Sequence, residues 1–325
     1  MADAPDAAAV GMAQPAYLDA LSRVCLPASG WEVALLSPDG YRDQVTLEAG
    51  CDLAGAVAFS AAHVRVLAAQ PSPGAHLDGA AAHGRVAFDA GRLPVADIDF
   101  IVVNIRAQRL GDRVVGEAQC NHCASLVDIS FSAREYLGHH SPRRPRSVRE
   151  LGAAPGGADG DGTPQWARWW QLQAQPFTSF RLPTGEDVLS TPSLTEHREH
   201  VLSRCTLGLR TAAGDRRVEA SMAQLGPRLA GELTGICPEC ANGVTVHMDA
   251  RNFCLSELTA SVGSLTGEVV ALAEAFHWSE EAILRLPAQR RRAYVAALTT
   301  RRASYSPAAL RAIGDPGAAA SGWVA

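Results

Sequence analysis

Cys120-Asn-His-Cys-Ala-Ser-Leu-Val-Asp-Ile-Ser-Phe-Ser-Ala-Arg-Glu-Tyr136 and Cys237-Pro-Glu-Cys-Ala-Asn-Gly-Val-Thr-Val-His-Met-Asp-Ala-Arg-Asn-Phe253 align without a gap. Both fit Cys-x-x-Cys-Ala-x-x-Val-x-(Ile/Val)-x-(Phe/Met)-x-Ala-Arg-x-(Tyr/Phe), an internal repeat. Each copy reads as one small unit: a strand entering a cysteine turn, a return strand with alternating apolar residues, and a helix start. Zinc prefers four thiolate or imidazole ligands in a tetrahedron, and one Cys-x-x-Cys turn supplies two of them. The expectation is therefore one structural zinc ion held by Cys120, Cys123, Cys237 and Cys240, each copy contributing a pair. A closed four-cysteine shell leaves no position for water or substrate, so the metal is expected to staple the fold.

Other uses of these residues fit the sequence less well. A redox dithiol wants a thioredoxin-like βαβ setting, which neither pair has. Two separate metal sites would need His139 and His140 for the first and His247 and Cys254 for the second. The repeat argues against this, because the two histidines have no counterparts and His247 corresponds to Ser130. His122 is expected to be exposed, and Cys25, Cys51 and Cys205 to be buried small apolar residues.

The rest of the chain sets the frame. Its 325 residues suggest two or three compact units, and 47% hydrophobic with 19% charged residues is a globular balance. A net charge of −5 argues against a surface tuned throughout for nucleic acid. All 29 basic residues are arginine. Asp3 and Asp6 stand where a signal peptide needs a basic start, and Leu255 to Phe276 carries Glu257, Glu268 and Glu274, so neither a cleaved signal nor a membrane span is expected and the location is read as cytoplasmic.

Along the chain, the expected fold class is α+β, a mixed α/β protein with a composite zinc-ribbon-like module and a C-terminal helical hairpin. Residues 1–94 read as an α/β segment: Trp31 to Leu36 and Val45 to Leu47 as short apolar runs around Ser37-Pro38-Asp39-Gly40, then a helix from Leu53 to Ala69. Its first fifty residues are acidic, and Pro71, Pro73 and Gly74 break the chain. Residues 95–150 hold a helix, with Ile98, Ile101, Val102 and Ile105 on its core face, and the first cysteine turn. Residues 151–165 are a Gly-rich linker. Residues 166–254 begin with Trp166, Trp169 and Trp170, include a strand from Phe177 and a helix start at Thr184, and end with the second cysteine turn. Residues 255–313 are helices and 314–325 a flexible tail.

In the C-terminal part, Leu258, Val262, Leu265, Val269, Leu272 and Phe276 mark one amphipathic helix. Ser279 caps a short helix ending near Leu286, and Pro287 opens another, to Arg302. Arg285, Arg290, Arg291, Arg292, Arg301 and Arg302 have no acid between them. This face is expected to be solvated, to touch nucleic acid, or to dock an acidic protein; Trp278, Arg285, Arg290, Arg291 and Arg292 are the candidate partner-binding residues.

With these residues laid out, the chain resembles the baseplate hub assembly chaperones of T-even-like phages and their relatives in contractile injection systems. The resemblance rests on the two cysteine turns, on Phe180-Arg-Leu-Pro-Thr-Gly-Glu-Asp187, and on Leu272-Ala-x-x-Phe276-His-Trp-Ser-Glu280-x-x-Ile283-Leu-x-Leu-Pro287-x-x-Arg290-Arg291, and covers about Asp97 to Leu298. It implies a non-enzymatic assembly factor whose partners are baseplate, hub or spike proteins. No nucleophile elbow, His-Glu-x-x-His helix or phosphate-cradling loop is present in the sequence. The rival expectation is a zinc-ribbon nucleic-acid binder using the arginine hairpin, and the third a metalloenzyme with His139 or His140 at an open zinc.

Overall fold

Two short strands, β1 (Ala20–Cys25) and β2 (Glu32–Leu36), pair antiparallel around a turn closed by the Leu26 N–H on the Trp31 carbonyl at 2.7 Å. The structure is a computed structural model that describes residues 20–68, 88–152 and 167–304. The acidic stretch before residue 20, the Pro71 to Gly74 break, Trp166, most of the Gly-rich linker and the C-terminal tail lie outside the described residues. Asp39 accepts the Arg42 N–H and so caps α1 (Gly40–Glu48); Asp52 does the same for α2 (Leu53–His63) through Gly55. Val45 to Leu47 is thus helical, not a strand-like run, because the Asp39 cap starts a helix ahead of it. The helix expected to reach Ala69 stops at His63. From there the β-branched Val64-Arg-Val66 run forms β3 (Val64–Ala68), which pairs antiparallel with β2 in the order β1-β2-β3.

A single 3₁₀ turn (Ala90–Arg92) leads into α3 (Val95–Leu110), where Ile98, Ile101, Val102 and Ile105 are all fully buried, as their spacing predicts. Each such side chain contributes about 1.5–3 kcal/mol relative to exposure. The first cysteine unit follows: β4 (Arg113–Gln119), β5 (Leu126–Ser132) and α4 (Ala133–His139).

The second half runs β6 (Val148–Gly152), β7 (Trp169–Leu172), β8 (Gln175–Arg181), α5 (Gly185–Leu189), α6 (His197–Cys205), β9 (Thr206–Gly208), α7 (Ala212–Leu225), β10 (Ala230–Ile236), β11 (Gly243–Asp249) and α8 (Ala250–Ser261). Its sheet is antiparallel in the order β6-β7-β8-β9. From β7 onward this repeats the element order of the first half from β1: hairpin, two helices, a returning strand, a helix, the cysteine hairpin and a helix. The duplication therefore extends far beyond the seventeen-residue motif. Details recur too. Asp39 and Thr184 cap the first helix of each half, and each makes an isolated antiparallel bridge, to Pro287 and Pro94 respectively. The next residues, Gly40 and Gly185, sit where a Cβ would lie 2.5 Å from the Leu284 backbone and 2.9 Å from Val57 Cγ2. Glycine at these helix starts lets another element close in on the backbone.

Three helices end the described chain: α9 (Leu265–Phe276), α10 (Glu280–Leu284), capped by Ser279, and α11 (Ala288–Ser304). The single helix expected to Phe276 is two, α8 and α9, broken at Val262-Gly263-Ser264, where Val262 and Gly263 bond three residues back instead of four. Leu258, Val262, Leu265 and Leu272 are all buried, so the apolar stripe survives the break, while Phe276 is exposed.

One core joins the β1-β2-β3 sheet to α2, α3, α4 and α8, with Phe59, Ile98, Leu255 and Leu258 at its centre. It crosses the boundaries expected at 94 and 254, since those cuts follow composition and the packing does not. A second core lies between the other sheet and α6 and α7, around Trp170, Phe180, Leu202 and Val218. The bidentate Arg106–Glu257 pair (2.8 and 3.0 Å) and Arg251–Asp99 (3.1 Å) tie α3 of the first half to α8 of the second. No described helix is long and apolar enough to cross a membrane.

Candidate metal centre

The two cysteine hairpins are built on one plan, offset throughout by the 117 residues from 120 to 237. In β4-β5 the rungs run from Arg113↔Ser132 to Gln119↔Leu126, and in β10-β11 from Ala230↔Asp249 to Ile236↔Gly243. Each turn is closed by the same two bonds: Cys120 N–H to the Ser125 carbonyl and Ala124 N–H to Cys120, matched by Cys237 to Asn242 and Ala241 to Cys237, all 2.9 Å. The alanine after each second cysteine adopts a left-handed conformation at φ 58°, which strains an L-residue by about 1–2 kcal/mol. The following helix is capped by Ser132 in one copy and Asp249 in the other. Equivalent residues meet: Val127 and Val244 pack with Cys120 and Cys237 in a small apolar cluster between the hairpins.

This packing brings all four sulfurs together. Cys120 Sγ lies 3.7 Å from Cys240 Sγ, Cys123 Sγ lies 3.7 Å from Cys237 Sγ, and the four atoms are within 4.8 Å of one another. A disulfide needs about 2.05 Å, and all four cysteines are free. A tetrahedron of sulfurs at about 2.3 Å from a central ion has edges of about 3.8 Å, which the two closest contacts match. Each close contact joins a cysteine of one half to a cysteine of the other.

The electrostatics suit a cation. The backbone N–H groups of Cys123 and His122 lower the Cys120 thiol, His122 N–H donating to its sulfur at 3.4 Å. The Ser125 hydroxyl and N–H draw Cys123 down to about 6. Cys237, although stabilised as thiolate by the Cys240 N–H, is pushed up to about 11 by desolvation and by the neighbouring sulfurs of Cys123 and Cys120. Adjacent thiolates thus repel, and an ion between them removes the repulsion. The four sulfurs are placed to hold a metal ion. Comparison with family models, with curated proteins and with solved structures returns no match. What the centre does is therefore argued from its own geometry.

The remaining sequence-expected residues fall away from it. His122 is exposed, as expected. His247 is exposed on the outer face of β11, and His140 binds the Tyr136 carbonyl through Nδ1 at 3.0 Å and contacts the Tyr136 ring. Neither joins the cysteine cluster, nor does Cys254, which is buried in the first core with its thiol raised by burial to about 12. Cys205 is buried as expected, but Cys25 is exposed and Cys51 only half-buried. Cys25 ends β1, where its sulfur faces the Leu26 and Gly30 carbonyls at the turn instead of the core.

The arginine hairpin needs a larger correction. Arg291 is 1% exposed and so is no surface residue. Its guanidinium donates to Asp43 Oδ2 (2.7 Å), Glu268 Oε2 (3.1 Å) and the Leu286 carbonyl (2.7 Å), while Arg109 donates to the other Asp43 oxygen at 2.6 Å. This buried network joins α1, α3, α9 and α11. Arg292 shares Glu268 and donates to the Ser261 carbonyl, Arg285 pairs with Glu281, and Arg290 is exposed. Trp278 is half-buried, stacked on Phe276 at 4.9 Å and edge-on to Tyr294 at 5.5 Å. A local charge run reveals no carboxylates that arrive from residues 43 and 268, and the sequence had no signal for them. A second buried network was equally hidden: Asp187, 1% exposed, is held by Arg181 and Arg204 far below the usual carboxylate range against its desolvation.

Proposed function

We propose that this chain is a non-enzymatic assembly factor or adaptor for the baseplate or hub of a contractile injection machine or phage-like tail, acting in the cytoplasm and stapled by one structural zinc ion. The two hairpins are read as zinc knuckles of a ribbon-like module, with Cys120, Cys123, Cys237 and Cys240 as ligands. The observation that carries the zinc assignment is the closed shell of four sulfurs at near-tetrahedral spacing, in which both halves of a duplicated chain are needed to complete the site. The adaptor assignment draws on the resemblance of the cysteine turns, of Phe180 to Asp187 and of Leu272 to Arg291. Those last two segments are structurally committed: Arg181 and Asp187 form a buried pair, and Phe276, Trp278 and Tyr294 form one aromatic cluster. The nucleic-acid alternative is weakened at its own site, because Arg285, Arg291 and Arg292 already hold carboxylates.

The test is affinity capture of the tagged chain from its native cells, with metal analysis of the same sample. Baseplate, hub or spike proteins together with about one zinc per chain are the expected result. Nucleic acid in place of tail proteins would overturn the adaptor reading. Cys120→Ser and Cys237→Ser should each release the same single ion; retention of half the metal in either would overturn the shared site.

A further inference from the structure

A second run of positive charge lies outside the C-terminal hairpin. From the end of α4 into β6 the chain reads Pro142-Arg-Arg-Pro-Arg-Ser-Val-Arg149, four arginines without an acid, on a chain whose net charge is −5. All four are exposed. Among the described residues Arg143 and Arg146 have no carboxylate partner, Arg149 donates to the Gln171 amide oxygen, and Arg144 approaches Glu150 at 3.7 Å, a carboxylate already bound to Arg168 at 2.8 Å. The loop is held in place. Arg143 N–H bonds to the Gln224 carbonyl at the end of α7 (2.7 Å), Val148 N–H to Pro145, and Ser147 accepts from Gln173 N–H. Pro142 and Pro145 restrict the backbone on either side of the Arg143-Arg144 pair.

These arginines lead into β6, which is an outer strand of its sheet: one side pairs with β7, and the other has no strand beside it among the described residues. The first half has no counterpart of β6 beside β1 among the described residues. An outer strand offers unpaired N–H and C=O groups to an extended peptide, and flanking arginines select one with carboxylates. A nucleic acid would use the charge and leave the strand edge unused.

We infer that the β6 edge, with Arg143, Arg146 and Arg149, is a docking surface for an extended acidic segment of a partner protein. This rests on the adaptor reading and names the face and the partner chemistry it would use. Fluorescence anisotropy on the full chain tests it with three labelled probes: a nine-residue peptide alternating Glu with Val and Thr, one of similar charge with Pro at every third position, and a single-stranded oligonucleotide. The alternating peptide should bind tightest. Binding should weaken about tenfold for the R143Q/R146Q/R149Q variant and stay within about twofold for an R134Q/R216Q/R217Q control that removes three exposed arginines elsewhere. Equal losses in the two variants, equal binding of the Pro-interrupted peptide, or tighter binding of the oligonucleotide would each overturn the inference. The two readings fail separately. If R143Q/R146Q/R149Q still captures tail proteins as the unaltered chain does, the docking surface is wrong and the adaptor stands. Peptide binding as expected with no tail protein captured would sink the adaptor alone.

Discussion

Replacing Arg291 with Ala separates a solvated arginine from a structural one. On an exposed helix face the change is worth within about 0.5 kcal/mol either way. Here it removes three hydrogen bonds from a side chain that is 1% exposed, and leaves Asp43 with Arg109, and Glu268 with Arg292 and the Ser264 hydroxyl, as their remaining partners. Breaking a buried pair by removing one partner costs about 3–5 kcal/mol; the surviving partners place this case near about 3 kcal/mol. With a urea dependence of about 3 kcal/mol/M, the unfolding midpoint should fall by about 1 M. Arg290→Ala, one residue away and exposed, is the control and should hardly move it. If the two variants unfold within about 0.5 kcal/mol of each other, Arg291 does not bridge α1, α9 and α11 and the network argument is refuted.

Other outcomes follow from local geometry. Gly40→Ala should destabilise by about 1–3 kcal/mol or more, and by more than Gly185→Ala, because its Cβ would lie 2.5 Å from the Leu284 backbone, whereas the closest contacts of a Gly185 Cβ are side-chain methyls of Val57 and Ile98 and its nearest backbone atom, the Gly91 carbonyl oxygen, is 3.2 Å away; thermal unfolding of the two variants would show the reverse order if this is wrong. Ala124→Gly and Ala241→Gly should each stabilise by about 0.5–1 kcal/mol by relieving a left-handed alanine, and unequal effects would mean the two turns are not equivalent. His63, fully buried on Phe59, has its pKa lowered from 6.5 to about 4 by desolvation, with Arg109 and Arg42 adding to the cost of the charged form. The unfolded chain then binds the extra proton between pH 6.5 and 4, so stability is lost as pH falls through that window. Relative to His63→Leu, the wild type should lose about 3 kcal/mol. Denaturation curves for both proteins at pH 7 and pH 4 give this difference, from which other titrating groups cancel; a constant difference would place His63 in water.

The cysteine units were legible because metal ligation fixes identity and spacing together. Cys-x-x-Cys, the alternating Val127 and Ile129, and the Ala133-Arg134 start of α4 all recur at one offset. The wider duplication was not legible. Its helices are matched by order and burial, with Ile101 of α3 and Val218 of α7 each fully buried in the core of its own half. The α3 stripe was read correctly because four consecutive core positions are aliphatic. Leu258 to Leu272 misled because a stripe continues across a tight break as readily as along one helix. The long-range carboxylates of Asp43 and Glu268 could not be inferred from the arginines that hold them, since a charge's partner is set by packing and not by its neighbours in the chain.

The division of the sulfur cluster between two halves also orders events during synthesis. At about 5–20 residues per second, the 117 residues from Cys120 to Cys237 take about 6 to 23 s to make. For that interval the first pair of thiols has no partners, and an ion bound there is held by two protein ligands only. The fourth ligand arrives with Cys240, after both sheets and α7 have been made. Closure of the cluster is therefore a late event that the chain reaches only once its second half exists, and an ion trapped there is a chemical record that the two halves have met.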